Sequence, residues 1–245
     1  DHLFKYVQYI ERQVVLFDAI EDAAFDRVHD VSGNGTFKSL LRDARVLNSD
    51  AQLQSKVERF KLRLVLTAHP TQFYPANVLG IIHDLGDAIG KNEFNTISQF
   101  IQQLGLTPFF NKKQPTPALE AVNLMWYLEH VFYQSIGAIY SKMVTEVFDG
   151  SYQGANNFIE LGFWPGGDRD GNPFVNAETT LFVAKSLRTS IITCYYRDVR
   201  KLKRKLTFPQ VDVLVNELEA KLFENVFRPD QATPIASAEI LEQLE

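Results

Sequence analysis

Residues 161–173 read Leu161-Gly162-Phe163-Trp164-Pro165-Gly166-Gly167-Asp168-Arg169-Asp170-Gly171-Asn172-Pro173. The part from 165 to 173 holds three glycines, two prolines, two aspartates and one arginine. A purely structural turn needs one or two such residues, so this density predicts backbone held in special conformations around charged side chains. The segment just before it, 158–164, is short and apolar, which predicts a buried strand.

A second unusual string lies about ninety residues earlier and reads Leu62-Arg63-Leu64-Val65-Leu66-Thr67-Ala68-His69-Pro70-Thr71-Gln72. Its branched apolar residues and its closing proline predict another short buried strand, over 62–67. Pro70 disfavours helical backbone for the residue before it, so we expect His69 to be extended at the end of this strand. An imidazole held there could face a pocket and move protons near neutral pH, although an isolated histidine is more often structural.

The remainder of the chain has helical patterns. Over residues 2–24 the apolar side chains recur with a 3.6-residue period, which predicts an amphipathic helix; they are Leu3, Val7, Ile10, Val14, Phe17 and Ala24. Further helices are predicted over 37–47, 49–60, 77–90, 93–104, 116–148, 176–205 and 209–227, and after 237. The helix ends are assigned to a capping box of Ser49 and Gln52, to Gly105 after its helix, to Thr116 with Pro117, and to the N-cap Asn176.

Two short strands cannot form a sheet with a core of its own. Each strand precedes a polar loop and then helices, the pattern of a barrel in which function gathers at the carboxyl ends of parallel strands. We therefore predict a mainly α fold with two short parallel strands, a partial piece of an α-rich (β/α) TIM-like barrel. The predicted segments are a helical part at 1–61, the first barrel strands with both strings at 62–175, and a helical part at 176–245. We expect the chain to be a fragment of a longer protein.

The composition excludes several classes of protein. A net charge of −5 and a pI near 5.6 argue against a nucleic-acid binder, so any anion site would be a local basic pocket. The basic stripe of Arg197, Arg200, Lys201 and Arg204 is accordingly predicted to be solvated or salt-bridged. A single cysteine, Cys194, excludes a disulfide framework and favours the cytoplasm, where a buried, inert thiol is expected. No apolar run has the length that a membrane span requires.

Together the two strings resemble the phosphoenolpyruvate carboxylase family, which carries both in this order. The match is residue for residue from Leu64 to Gln72, and Gln114-Pro115-Thr116-Pro117 resembles a third string that the family has between them. The resemblance is firm over 62–175 and unspecific on both flanks. One departure is that Pro75 and Ala76 occupy the positions where many family members carry paired arginines.

The resemblance implies an enzyme that joins phosphoenolpyruvate to bicarbonate, giving oxaloacetate and phosphate through carboxyphosphate and an enolate. It implies that His69 is catalytic and accepts the carboxyphosphate proton, which promotes breakdown to CO₂. It also implies a Mg²⁺ or Mn²⁺ ion and a homo-oligomer, a tetramer in the family. The family's metal carboxylates, catalytic lysine, glycine-rich loop and phosphate-binding arginines belong to the later part of the protein, so no metal ligand is assigned here and the isolated chain is expected to be inactive.

The loop from Asp168 to Asn172 has two interpretations. As a scaffold, its glycines allow unusual backbone and Arg169 pairs with a neighbouring carboxylate. As a wall of the active site, Arg169 supplies positive potential for an anionic substrate, with Asp168, Asp170 and Asn172 beside it. The spacing of these three residues also imitates a calcium loop, but Pro173 stands where that loop needs glycine.

Two classes of function remain open from the sequence. The chain is either part of a phosphoenolpyruvate carboxylase, or a helical binding or scaffold module derived from that family without its chemistry. The departure at Pro75 and Ala76 keeps the second class open.

Overall fold

A computed structural model of the chain describes residues 2–67, 74, 76–109, 116–152, 158–170 and 172–242. These residues form a mainly helical protein, as predicted. The helices are α1 (His2–Val28), α2 (Phe37–Val46), α3 (Asp50–Arg59), α4 (Ala76–Gly90), α5 (Phe94–Leu106), α6 (Pro117–Tyr127), α7 (Tyr133–Val147), α8 (Ala177–Lys203), α9 (Val211–Phe227) and α10 (Ser237–Glu242). The strands are β1 (Leu62–Leu66) and β2 (Ile159–Phe163), and the π-helical turn Leu128–Phe132 joins α6 to α7.

Both predicted strands are present, and they pair with each other in parallel. The burial predicted for them is wrong for β1, where Leu62, Leu64 and Val65 are 37–44% exposed, and β2 is only partly buried. The amide of Leu62 donates to the carbonyl of Phe158 at 2.7 Å, and the amide of Trp164 donates to the carbonyl of Leu66 at 2.9 Å. These two hydrogen bonds lie at opposite ends of the pair and fix its register. Across the strands, the Nε of Arg63 donates to a carboxylate oxygen of Glu160 at 2.9 Å.

The chain divides into two compact units, each assembled from separate stretches of sequence. The first contains residues 1–63, 69–115 and 141–160, and the second contains residues 64–68, 116–140 and 161–245. The three consecutive segments proposed from the sequence remain a prediction about domain organisation.

The core of the first unit lies among α1, α4 and α5. Its buried side chains are Val15, Ala19, Val78, Ile81, Leu85, Leu104 and Phe109. Arg12 of α1 fastens the end of α5, because its guanidinium donates to the carbonyls of Leu104 at 3.0 Å and Thr107 at 3.2 Å. The carbonyls at a helix C-terminus have no partner within the helix, so a cation beside them both satisfies them and offsets the helix dipole.

Helix α1 does not bury the face that its sequence pattern suggested. The residues it buries are Val15 and Ala19, whereas Val14 is half exposed and Phe17 is 68% exposed. The buried face and the face that the sequence pattern suggested are rotated from each other by roughly 100° about the helix axis, the angle between consecutive residues. Both are apolar, and only the packing against α4 decides which of them is covered.

In the second unit, α8 and α9 pack together with α10 around a second apolar core. The core side chains are Ile192, Val199, Val215, Leu218, Leu222, Ile235 and Ile240. Asn225 is buried beside them with all four of its amide hydrogen bonds made. Its oxygen accepts from Arg188 at 2.8 Å and from the amide of Ile235 at 3.2 Å, and its nitrogen donates to the carbonyls of Lys221 at 3.0 Å and Thr233 at 3.1 Å.

Two of the predicted helix ends are confirmed by side-chain caps. Thr116 and Asn176 are N-caps whose side-chain oxygens accept from Leu119 and Thr179. The capping box is wrong, because the hydroxyl of Ser49 donates back to the carbonyl of Ala44 and leaves α3 without a side-chain cap.

Two other helix boundaries and one long helix also differ from the sequence prediction. Gly105 lies inside α5, not beyond it, and α9 begins at Val211, two residues after Pro209. The long helix predicted from Thr116 to Phe148 is present, but the π-helical turn interrupts it.

The basic stripe of α8 is salt-bridged, as predicted. Arg197 lies 3.1 Å from Glu129, Arg200 lies 3.7 Å from Glu219, and Lys201 lies 2.9 Å from Asp198. Within the described ranges, no helix combines the length and apolar character needed to cross a membrane.

Replacing Asn225 by alanine is expected to destabilise the second unit by about 1–3 kcal/mol, because the buried amide of Ile235 loses its acceptor and Arg188 and two carbonyls each lose a hydrogen bond. Asn216→Ala, on an exposed position of the same helix, is the control and should change the free energy of unfolding by less than about 0.5 kcal/mol. Urea titration followed by circular dichroism measures both variants. Equal destabilisation by the two substitutions would contradict the role given to Asn225.

Candidate active site

The segments that follow β1 and β2 leave the strand pair at the same end. β1 ends at Leu66 and β2 ends at Phe163, and the hydrogen bond from Trp164 to Leu66 joins the first residue after β2 to the last residue of β1. Because the strands are parallel, both chains leave the pair in the same direction. The carboxyl ends of parallel strands are where barrel enzymes place their functional loops.

His69 lies outside the described residues, as do the rest of its string from residue 68 to Gln72 and residue 73. The predicted strand before it is confirmed, and that strand ends three residues before His69. The position of the imidazole itself remains a prediction. Pro75 and the first two residues of the third string, Gln114 and Pro115, are likewise outside the described residues.

The loop after β2 begins with a tight turn. The carbonyl of Trp164 accepts from the amides of Gly167 at 2.9 Å and Asp168 at 3.1 Å. Gly166 has a φ of +74°, in the left-handed region that L-residues with a side chain avoid. A methyl group at this position would also overlap the side chain of Val183. Glycine is therefore required at residue 166 both by the backbone conformation and by the closeness of α8.

Helix α8 holds this turn by two contacts. The hydroxyl of Thr180 donates to the carbonyl of Gly166 at 2.8 Å. Val183, one turn further along, packs against the backbone of Gly166 and belongs to a buried cluster with Ala121 and Met125 of α6. The loop is thus fastened to a packed helix pair. Sequence reasoning missed Thr180 and Val183, because neither residue type carries a functional signal at that spacing.

The polar side chains that flank Arg169 hold the loop backbone. Asp168 accepts a hydrogen bond from the amide of Asp170 at 3.1 Å, and Asn172 accepts one from the amide of Phe174 at 3.0 Å. Such turns, in which a side chain bonds the backbone two residues ahead, are a common use of aspartate and asparagine. These contacts support the scaffold interpretation for Asp168 and Asn172.

Arg169 is exposed, and its guanidinium forms no ion pair with Asp168 or Asp170. The pairing with a neighbouring carboxylate that the sequence suggested is therefore wrong, because Asp168 is turned toward the loop backbone. Among the residues that the structure describes, no hydrogen-bond acceptor holds the Arg169 side chain.

The loop does not fit a metal ion. Within the described parts of the chain, no group of three His, Cys, Asp or Glu side chains lies close enough together to hold a metal. Asp168 and Asn172 already use an oxygen each on a backbone amide. No step that involves a metal is therefore assigned to these residues.

The second unit also contains a cavity of about 470 Å³, which is lined by residues 161–163 at the end of β2 and by part of the π-helical turn. Glu129 at its wall accepts from the hydroxyl of Ser190 at 2.7 Å and pairs with Arg197. Cys194 also lines the cavity, and burial, with the Glu129 charge nearby, raises the pKa of its thiol to about 11. Since the nucleophilic thiolate is scarce at neutral pH, Cys194 is the buried, inert thiol that was predicted.

Gly166→Ala is expected to cost more stability than Gly150→Ala, although both glycines have nearly the same φ, +74° and +75°. A left-handed conformation costs an L-residue about 1–2 kcal/mol in either case. Only residue 166 adds the overlap with Val183, since the space around Gly150 is open. Thermal unfolding measures the difference, and trypsin should cleave after Arg169 faster in Gly166→Ala. Equal losses in both variants would show that α8 does not constrain the loop.

Comparison with known proteins identifies the family that the two strings resemble. The sequence model of the phosphoenolpyruvate carboxylase family matches residues 17–240. A phosphoenolpyruvate carboxylase of Psychromonas ingrahamii is 29% identical over 179 residues, which are 67% of this chain and 20% of that protein. One of Gloeobacter violaceus is 26% identical over 196 residues, 74% of this chain and 21% of that protein.

A third relative, the phosphoenolpyruvate carboxylase of Synechocystis sp., is 29% identical over 170 residues, 60% of this chain and 16% of that protein. The chain thus spans about a fifth of the length of the curated relatives that it matches. Because the family match extends over nearly all of its residues, the chain belongs to the phosphoenolpyruvate carboxylase family.

Proposed function

We propose that this chain supplies one edge of the active site of an enzyme that carboxylates phosphoenolpyruvate with bicarbonate, forming oxaloacetate and phosphate. The observation that carries the proposal is the pairing of β1 with β2, which starts the histidine string and the Asp168–Asn172 loop at one edge. Membership of the family supports the same reaction. The strand pair would be the first part of a (β/α) barrel completed by other residues of the enzyme.

In this proposal His69 accepts the proton of carboxyphosphate and so promotes its breakdown to CO₂ beside the enolate. A neutral imidazole suits that task, because its basicity lies close to neutral pH. The position of His69 just beyond β1, and before Pro70, supports an extended residue at the strand end.

Arg169 is the residue of the loop that would act on the substrate. Its guanidinium is exposed and unpaired within the described residues, and phosphoenolpyruvate carries a carboxylate and a phosphate that a guanidinium binds well. Asp168, Asp170 and Asn172 would act indirectly, by holding the backbone that presents Arg169.

The remaining requirements of the reaction are proposed to lie outside this chain. These are the Mg²⁺ or Mn²⁺ ligands, the arginines that bind the phosphate, and the contacts that form a homotetramer in the cytoplasm.

In the complete enzyme, His69→Asn is expected to lower oxaloacetate formation roughly 10²–10⁴-fold, the range that proton transfer by a positioned side chain contributes. The assay supplies phosphoenolpyruvate, bicarbonate and Mg²⁺, and couples oxaloacetate to NADH oxidation through malate dehydrogenase. His29→Asn, an exposed histidine just beyond α1, is the matched control and should keep the wild-type rate. An unchanged rate in His69→Asn would reduce His69 to a structural residue. Absence of any bicarbonate-dependent signal in the wild type would favour a binding or scaffold module.

The 245-residue chain by itself is expected to be catalytically silent. Stabilisation of an enolate needs carboxylates aimed at a metal ion, and phosphate binding needs several convergent arginines. Titration of the isolated chain with Mg²⁺ and with phosphoenolpyruvate in a calorimeter, and the coupled assay, should both give the buffer background. Turnover by the isolated chain that is lost in His69→Asn would mean that the metal and phosphate sites lie within these residues.

A further inference from the structure

Tyr74 is the first described residue after the histidine string. It follows Gln72 by two positions and His69 by five, and its side chain is partly buried. The residue after it is a proline, which disfavours helical backbone at Tyr74, and α4 accordingly begins only at Ala76. The stretch 67–73, which carries the histidine, therefore runs from the end of β1 to Tyr74. We call this stretch the histidine segment.

The ring of Tyr74 packs against the core of the first unit. Its centroid lies 5.7 Å from that of Phe109 at an interplanar angle of 85°, the edge-to-face arrangement that aromatic pairs favour. Phe109 is only 2% exposed. Tyr74 and Phe109 lie outside helices, whereas the other residues of this core and those packed on it belong to α1, α4 or α5. The contact thus joins the end of the histidine segment to a buried ring.

Phe109 is itself held by Arg12 of α1. The guanidinium carbon of Arg12 lies 4.6 Å from the centre of the Phe109 ring, a cation–π contact. The same guanidinium donates to the carbonyls of Gln8 at 2.9 Å, Leu104 at 3.0 Å and Thr107 at 3.2 Å. Because three backbone acceptors fix the guanidinium, the Phe109 ring that supports Tyr74 has a fixed neighbour on its face.

The hydroxyl of Tyr74 is not suited to proton transfer. Burial, and then the negative charges of Asp18 and Glu11, raise the pKa of this hydroxyl above its ordinary value. It therefore stays protonated at neutral pH, where a general base has to be deprotonated. What Tyr74 contributes is the packing of its ring.

We propose that Tyr74 is a positioning residue for His69, because its ring, packed against Phe109, anchors the end of the histidine segment. The inference rests on the proposed function, in which His69 accepts the proton of carboxyphosphate. A short segment held at its end has fewer conformations to lose when the imidazole takes its working position. A misplacement of about 1 Å at a reacting group costs on the order of 10²-fold in rate.

The products of the reaction distinguish loss of positioning from loss of folded enzyme. Phosphoenolpyruvate first transfers its phosphoryl group to bicarbonate, which leaves carboxyphosphate and the enolate of pyruvate. When His69 takes the proton, carboxyphosphate breaks into CO₂ and phosphate, and the enolate attacks CO₂ to give oxaloacetate. When His69 is misplaced, the enolate takes a proton from water to give pyruvate, and water hydrolyses carboxyphosphate to bicarbonate and phosphate. Unfolding lowers both products in proportion, whereas misplacement lowers the ratio of oxaloacetate to pyruvate.

In the complete enzyme, Tyr74→Ala is expected to lower this ratio at least roughly 10-fold, toward the value of His69→Asn. Malate dehydrogenase measures oxaloacetate and lactate dehydrogenase measures pyruvate. Tyr74→Phe retains the ring and should keep the wild-type ratio. Tyr74→Leu, which keeps much of the apolar volume without the ring, replaces Tyr74→Ala if that variant does not fold.

The matched control is Phe100→Ala. Phe100 lies on α5, and its ring is also partly buried and packs on the same core. Its removal should lower stability without changing the ratio of oxaloacetate to pyruvate. An unchanged ratio in Tyr74→Ala overturns the proposal, as does an equal fall in Phe100→Ala.

Amide hydrogen exchange over residues 67–73 of the complete enzyme tests the anchor without turnover. Tyr74→Ala is expected to exchange at least roughly 10-fold faster than the wild type there, because local opening then costs less free energy, and Phe100→Ala should exchange as the wild type does. Equal exchange in Tyr74→Ala and the wild type overturns the anchor. A wild-type enzyme that makes neither product overturns the proposed reaction and the role toward His69, while faster exchange in Tyr74→Ala would still establish the anchor.

Discussion

The hydrogen bonds between β1 and β2 join segments of the chain that are 97 residues apart, and the candidate site depends on them. A parallel pair cannot be closed by a tight turn, because the chain must cross over before it returns in the same direction. Here the crossover contains α4 to α7. Its consequence is that two loops far apart in sequence leave the strands at the same end of the pair.

The turn that begins this loop is fastened to a packed core. Gly166 adopts a conformation that few residues tolerate, and its carbonyl is held by Thr180 while Val183 fills the space beside it. Val183 is itself buried with Ala121 and Met125, so motion of the turn would open an apolar cluster. Catalytic side chains must be held closely to be effective, and supporting contacts of this kind provide that. Asp168 and Asn172 extend the same support to the backbone on either side of Arg169.

On helix α1, an apolar face that belongs to the core lies beside an apolar face that is exposed. Val15 and Ala19 are buried against α4, while Val14 and Phe17, next to them around the helix, face solvent. Both faces are apolar enough to pack.

The sequence by itself determined the family, both strands, most of the helices and the caps at Thr116 and Asn176, because these depend on local patterns of apolar residues, turn residues and side-chain caps. It misplaced Ser49 and Gly105, where a nearby carbonyl and the continuation of a helix outweighed the local preference. Tertiary structure alone decided which face of α1 is buried, that Arg169 is unpaired among the described residues, and that Thr180 and Val183 anchor its loop. The physical reason is that each of these outcomes depends on contacts between residues of different elements. A local sequence pattern does not specify which elements are in contact.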